Sequence, residues 1–340
     1  MAQATESIEP VSQVPPDVLD RVMSFQRPVV VGHVRPDADC LGSMFAVALA
    51  FPGADQNKAR VSLPAGSLSQ RLAFLAEWAD VPVATRQDFV AADGFVVVDT
   101  AKFSRCNVDR ALGDFAAGRD VVNIDHHLSN TRFGSHNWVD DRSGSAAELV
   151  YHLVRAAGCD PDPLIASLLF AGIHSDTIGF SLPTTSASAL RAAAELVKAG
   201  ARVGEIGRRL CRSHSPGEFQ LLRIIYDNTR TVAGGRVAFS TATFEEISST
   251  GCGAQDIDDQ VAVPRSLDGA VVAFLLTEGT RGKVRLNLRG EEGIDVLGIA
   301  KALGGGGHAQ AAGAILSGSI EEALDRVLKP VLAAVEALET

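Results

Sequence analysis

The sequence predicts an α/β protein, with an N-terminal domain built on a mostly parallel sheet flanked by helices and a smaller C-terminal α/β domain. Three observations carry this. Short apolar runs at 29–31, 95–98 and 121–124, rich in β-branched residues, alternate with helical patterns, as βαβ units do. After about residue 231 the texture changes to segments that alternate polar and apolar side chains. The chain's 340 residues also exceed what a single hydrophobic core usually serves.

The elements follow in order. Pro15 and Pro16 open a short helix through Leu19 and Met23. Three consecutive valines at 29–31 read as a buried parallel strand, ended by Gly32. A helix is expected from near Leu41 to Phe51, where Pro52 and Gly53 stop it. The run 61–63 reads as a strand and 68–78 as an amphipathic stretch. Strands at 95–98 and 121–124 come next, and a helix over 163–170 leads through Ala171, Gly172 and Ile173 to Asp176. A helix over 186–198 closes at Gly200, and two more cover 203–210 and 216–228. Strands at 236–240, 270–276 and 283–289 precede a helix over 296–303, which runs into the Gly304–Gly305–Gly306–Gly307 tract. The expected organisation is a first domain over 16–205, a helical linker over 206–230 and a second domain over 231–340.

Composition narrows the function. Hydrophobic residues make up 46% and charged residues 21%, well inside the folded regime. A net charge of −10 argues against long duplex nucleic acid as a partner, because binding phosphates at scale needs a basic face. A short anionic substrate gripped by a few local cations stays compatible. The five cysteines are scattered with no CxxC spacing, which points to a reducing compartment and away from zinc-finger chemistry. No apolar run approaches the roughly 20 residues that span a bilayer, and the first residues show no charged-then-apolar leader. The expectation is a soluble, cytoplasmic protein with no membrane partner.

Chemistry concentrates at the ends of the predicted strands. His33, Asp37 and Asp39 follow the first; Asp99 follows the second; Asp125, His126 and His127 follow the third; Asp176 ends the helical segment. A parallel sheet brings such residues to one rim, where open α/β sheets bind ligands. Crowded carboxylates with a few imidazoles suit Mn²⁺ or Mg²⁺, with Fe²⁺ or Co²⁺ as further options, rather than thiolate-loving ions. So many donors exceed the needs of one ion, and two ions about 3.5–4 Å apart sharing a carboxylate would serve phosphate-ester hydrolysis. Helix capping by Asp39 or a structural His pair would each explain one group, but not their recurrence at successive strand ends. His174 stands out among the other imidazoles only because it precedes Ser175 and Asp176. Downstream, the glycine tract can turn successive N–H groups toward an anion. Arg285 and Arg289 alternate on one strand face and offer forked donors for phosphate.

These motifs, His33-x-x-Pro36-Asp37-x-Asp39, the strand ending in Asp99, Asp125–His126–His127 and Ser175–Asp176–Thr177, together resemble the DHH phosphoesterase superfamily. The tract from Gly304 through His308 to Ala311, Ala312 and Gly313 resembles the signature of its DHHA1 accessory domain. The chain's length is similar to that of the NrnA-like subgroup, oligoribonucleases and 3′-phosphoadenosine 5′-phosphate (pAp) phosphatases. The resemblance implies a Mn²⁺-dependent enzyme with two ions, for which Mg²⁺ or Co²⁺ substitute. Its substrates would be very short RNA oligonucleotides or small phosphonucleotides, and a homodimer is one option for its assembly. It implies that His33, Asp37 and Asp99 hold one ion, and Asp39, Asp99, His126 and Asp176 the other. Asp125 would orient the His pair, His127 would face the substrate phosphate, and Arg285, Arg289, Gly305, Gly306, Gly307 and His308 would contact substrate. The sequence departs from the family at Ile178–Gly179, where relatives commonly place glycine directly after Asp-Thr, and at Ala309, where many carry Arg. Competing readings are a pApA or cyclic-dinucleotide phosphodiesterase, a family II pyrophosphatase, whose Ser-Arg-Lys signature is missing, and a non-catalytic nucleotide-binding protein.

Overall fold

A computed structural model of the chain describes residues 13–53, 59–63, 68, 71–108, 114–253, 258–291, 293–307 and 309–339. It divides into two compact units, one ending at Ser213 and the other beginning at His214.

The first unit runs α1 (Pro16–Ser24), β1 (Pro28–Val31), α2 (Ala38–Ala50), β2 (Arg60–Ser62), α3 (Ala73–Ala79), α4 (Arg86–Ala91), β3 (Gly94–Val98), β4 (Asp120–Asp125), β5 (His136–Val139), α5 (Ala146–Ala156), α6 (Pro163–Asp176), α7 (Ala187–Lys198) and α8 (Val203–Cys211). Its strands lie in the order β2-β1-β3-β4-β5, all parallel. Every residue of β1 and β3 is buried, which explains why those segments are apolar throughout rather than alternating. Val30, Val96, Val98, Val122 and Ile124 face one core, shared with α2, α5 and α6. Val29, Val31, Phe95, Val97 and Val121 face another, shared with Phe89 and Phe115.

Helix α2 is buried along almost its whole length, pressed between the sheet and α6. That approach is close enough to need glycine. A Cβ on Gly42 would lie 2.3 Å from the Leu168 carbonyl oxygen. The helix starts three residues earlier than the periodicity suggests, and Asp37 rather than Asp39 caps it, accepting from the Cys40 N–H at 3.0 Å. In this unit the sequence reading lacks α4 and two further elements. Strand β5 is an edge strand, His136–Asn137–Trp138–Val139, with only Trp138 buried and so no apolar alternation to announce it. Helix α5 follows the polar turn at 140–145 and is the second.

The second unit runs α9 (Pro216–Asp227), β6 (Arg230–Val232), β7 (Val237–Ala242), α10 (Phe244–Ser249), α11 (Ala262–Arg265), β8 (Val272–Thr280), β9 (Lys283–Gly290), α12 (Val296–Ala302), β10 (Gly306–Gly307), β11 (Ala311–Ser317) and α13 (Ile320–Glu336). Its sheet, β10-β11-β9-β8-β7-β6, is antiparallel except where β7 pairs with β8. Val327 and Val331 of α13 share a core with Val284, Leu286 and Leu288 on one face. Leu221, Ile225 and Ile247 share another with Leu275.

The stretch expected as a linker, 206–230, divides between the units. Ile206 and Leu210 of α8 lie in the first unit's core, and Leu221 and Ile225 of α9 in the second's. Among the described residues no helix is long and apolar enough to cross a membrane.

Candidate metal centre

In the first sheet, the chain moves from β1 to β2 on one side and then crosses to β3 on the other. The chain therefore leaves the neighbouring ends of β1 and β3 toward opposite sides of the sheet, and in open α/β sheets ligands bind at the carboxyl edge at such a point. His33 lies just past β1, where its backbone bridges Cys106. Asp99 directly follows β3 in a left-handed backbone conformation (φ 49°), which a short Asp side chain tolerates. Asp125 ends β4, with His126 and His127 behind it. Asp37 and Asp39 arrive at the start of α2, and Asp176 at the end of α6.

These groups converge. His33 Nε2 is 3.2 Å from Asp99 Oδ2 and 4.0 Å from Asp37 Oδ2. His126 Nε2 is 3.3 Å from Asp176 Oδ2, 3.5 Å from Asp99 Oδ1 and 3.9 Å from Asp39 Oδ2. Asp99 therefore offers one oxygen to each imidazole. Both rings have their other nitrogen against a backbone carbonyl: His33 Nδ1 donates to Val34 (2.9 Å), and His126 Nδ1 faces that of Ser143 (3.4 Å). Such carbonyl partners fix the tautomer and leave Nε2 as the ligating atom.

Asp125 is fully buried and holds the neighbouring loop. It accepts from the His126 backbone N–H at 2.9 Å and from His127 Nδ1 at 2.7 Å, while Asn130 Nδ2 donates to its other oxygen at 2.5 Å. It thus orients the His127 ring, whereas the His126 ring faces the Ser143 carbonyl. Asp39, also buried, rests on the amino end of α5: its oxygens accept from Ala146 N (2.7 Å) and Ala147 N (2.8 Å). Gly172 of α6 makes the room. A Cβ there would sit 2.8 Å from Asp39 Oδ1 and 2.6 Å from Ala147 Cβ. Asn130, Ser143 and the α5 amides are supports that the sequence reading missed. Asn130 had no visible signal, but Ser145-x-x-Glu148 before an apolar run marks a helix start.

The electrostatics are those of a cation site. Burial pushes the Asp39 carboxyl well above the usual carboxylate range, and the nearby Asp99 and Asp176 push the same way. Burial, against the pull of His126 and aided by Asp37 and Asp99, lifts Asp176 to about 6. At Asp99 burial is outweighed by hydrogen bonds from His126 and His33, and its carboxyl is held well below the ordinary range. At the imidazoles, too, burial is outweighed. Cys40 and Asp99 raise His33, and Asp99, Asp176 and Asp39 raise His126, well above the ordinary histidine value. A set of oxygen and imidazole donors that draws positive charge this strongly fits divalent cations. The ligand atoms fall into overlapping groups, each within 4.8 Å: Asp99, Asp125, His126 and His127; His33, Cys40 and Asp99; and Asp39, His126 and Asp176.

His174 is not among them. It packs between Phe170 and Phe180, ring centroids 5.9 and 6.0 Å away.

In the second unit, Arg285 and Arg289 share one face of β9, with Asn287 between them. Gly306 and Gly307 are the edge strand β10, paired with Gly313 and Ala312 of β11. Two of the glycines are demanded by packing. A Cβ on Gly305 would lie 2.0 Å from the Gly313 carbonyl oxygen, and one on Gly307 would lie 2.4 Å from that of Ala311. Gly306 faces open space. His308 lies outside the described residues.

A parallel sheet with carboxylates and imidazoles gathered around one shared aspartate at its crossover defines a two-metal phosphoester hydrolase. This chain belongs to the DHH/DHHA1 family, in its NrnA-like subgroup: residues 27–173 match the DHH family N-terminal domain and 234–337 the DHHA1 domain. The bifunctional oligoribonuclease and PAP phosphatase NrnA of Thermus thermophilus is 31% identical over 319 residues, 92% of each chain. The probable enzyme of the same name from Streptococcus mutans is 27% identical over 87% of this chain and 92% of its own. The crystal structure of an exopolyphosphatase-related protein from Bacteroides fragilis has the same fold, with a TM-score of 0.85 at 22% identity, covering 97% of this chain and 100% of that one.

Proposed function

We propose that this chain is a Mn²⁺-dependent enzyme that hydrolyses very short oligoribonucleotides to nucleoside 5′-monophosphates and removes the 3′-phosphate from pAp. One observation carries the reading: Asp99 stands between two imidazole-centred groups, in a chain similar along nearly all its length to enzymes named for both activities. His33, Asp37 and Asp99 would hold one ion, and Asp39, Asp99, His126 and Asp176 the other. Mixed carboxylate and imidazole donors favour Mn²⁺, with Mg²⁺ or Co²⁺ as substitutes. When bound, such ions make hydroxide available from water at neutral pH and screen the charge on phosphate oxygens. The protein's own contribution is positional. Asp125 holds His127 through Nδ1, which leaves Nε2 to face a substrate phosphate oxygen, to which the doubly protonated ring donates. Arg285, Arg289, Gly305, Gly306, Gly307 and His308 would bind the rest of the nucleotide, Arg through forked pairs and glycine through close backbone approach.

The test is a substrate panel of pAp, pApA, short RNAs, a long RNA and pyrophosphate, each assayed with Mn²⁺ and with chelator. Mononucleotide release from dinucleotides and AMP from pAp, both dependent on Mn²⁺, are expected. Asp99→Asn should lower kcat by more than the roughly 100-fold typical of losing a group that only orients a ligand. Pyrophosphate turnover without nucleotide turnover, or long RNA cut as fast as dinucleotides, would overturn the reading.

A further inference from the structure

Ser145–Ala146–Ala147–Glu148 spells a capping box, in which the serine caps the fourth residue's amide and the glutamate reaches back to the serine's. Elsewhere the fold completes such boxes: Ser215 with Glu218, Thr243 with Glu246 and Ser319 with Glu322 all make both bonds. At α5 only the first half forms, Ser145 Oγ accepting from Glu148 N at 3.1 Å. The glutamate is used differently. Its Oε2 accepts from Gly144 N (3.0 Å) and Ser143 Oγ (2.9 Å), and Ser186 Oγ lies 3.5 Å from Oε1. It is also fully buried, at 0% exposure. Hiding a carboxylate is costly, by several kcal/mol where it is left unsatisfied, so the contacts it makes must secure something.

What they secure is the turn behind the metal centre. The Ser143 carbonyl faces His126 Nδ1, and the next two helical amides, Ala146 and Ala147, hold Asp39. Gly144 packs on Thr177, beside Asp176; a Cβ on it would lie 3.1 Å from Thr177 Cγ2. All three groups belong to the ion site built on Asp39, His126 and Asp176. None belongs to the His33 side.

We propose that Glu148 is a positioning residue for that ion site: from inside α5 it ties down the 143–147 turn, which in turn sets His126 and Asp39. It touches neither substrate nor metal. The proposal rests on the two-ion reading above and assigns Glu148 to one ion of the pair.

The test is calorimetric titration of the full chain with Mn²⁺ alone, on wild type, Glu148→Gln and Ser143→Ala, with circular dichroism melts in chelator to confirm folding. Wild type should bind two ions. In Glu148→Gln one site should weaken about 10–100-fold, as when a ligand loses its supporting partner, while the other keeps its affinity. Ser143→Ala removes one of the Glu148 contacts together with the Ser143 Oγ contacts to Ser145 inside the turn, and should weaken the same site and not the other. It carries the test alone if Glu148→Gln does not fold. Two sites of wild-type affinity in the folded variant, or equal weakening of both, would overturn the role of Glu148. A wild type without a second Mn²⁺ site would instead fail the two-ion reading, and the proposal would fall with it.

Discussion

At the residue scale, the centre is marked by backbone conformations that side chains normally avoid. Asp99 and Arg35 have φ of 49° and 58°, and Ile178 and Phe180, just after Asp176, have 47° and 67°. Ile178 is the unusual one, because among the described residues it is the β-branched side chain held in the left-handed region. Hydrogen bonds hold it there: its N–H donates to the Ser175 carbonyl, and Ser181 Oγ donates to its own carbonyl. A left-handed L-residue costs about 1–2 kcal/mol, whereas glycine's extra freedom in the unfolded chain costs about 0.5–1 kcal/mol. The side chain is 55% exposed, so little burial is lost on removing it. Ile178→Gly should therefore stabilise the protein by up to about 1 kcal/mol in urea denaturation, and Ile178→Ala, which keeps the backbone penalty, should not. Equal effects of the two would mean that strain at this position is negligible.

At the scale of elements, the site depends on how closely α2, α5 and α6 approach. Gly42 and Gly172 set that distance, and Gly172 also leaves room for Asp39. Gly172→Ala should cost about 1–3 kcal/mol through overpacking and should weaken Mn²⁺ binding by displacing Asp39. Denaturation and metal titration of one preparation check both, and a variant unstable but with normal affinity would show that Asp39 does not move. The same contrast explains what the sequence revealed. Strands β1 and β3 were legible because strands buried on both faces are written as unbroken apolar runs, and β4 because Asn123 alone interrupts its run of Val121, Val122 and Ile124; the acidic and imidazole residues at their ends, Asp99, Asp125 and His126, were legible with them. Strand β5 was not, since an edge strand with one buried tryptophan carries no period. Glu148 was hidden in a subtler way: its spacing marks a helix start correctly, but which amide its carboxylate seeks is decided by tertiary packing. The glycine tract read as an anion cradle, and at Gly305 and Gly307 the structure adds a steric demand that no one-dimensional pattern contains.

At the scale of the whole molecule, two units with separate cores share one chain, and every predicted metal ligand belongs to the first. Ions that bind only the folded state add about 2.7 kcal/mol each at a hundredfold excess over Kd, so a pair should raise the melting temperature of a unit this size by about 10–20 °C. Scanning calorimetry should show two transitions, of which only one moves between chelator and Mn²⁺; a single transition moving as a whole would mean that the units unfold together. The second unit's sheet has a different consequence. Its inner strands β8, β9 and β11 are nine, eight and seven residues long, yet its borders are β6, with three, and β10, with two glycines. Stubs of that length themselves offer a passing chain almost no row of free amides, and because β10 pairs only with Ala312 and Gly313, the border open to a further strand is the short stretch 314–317 of β11.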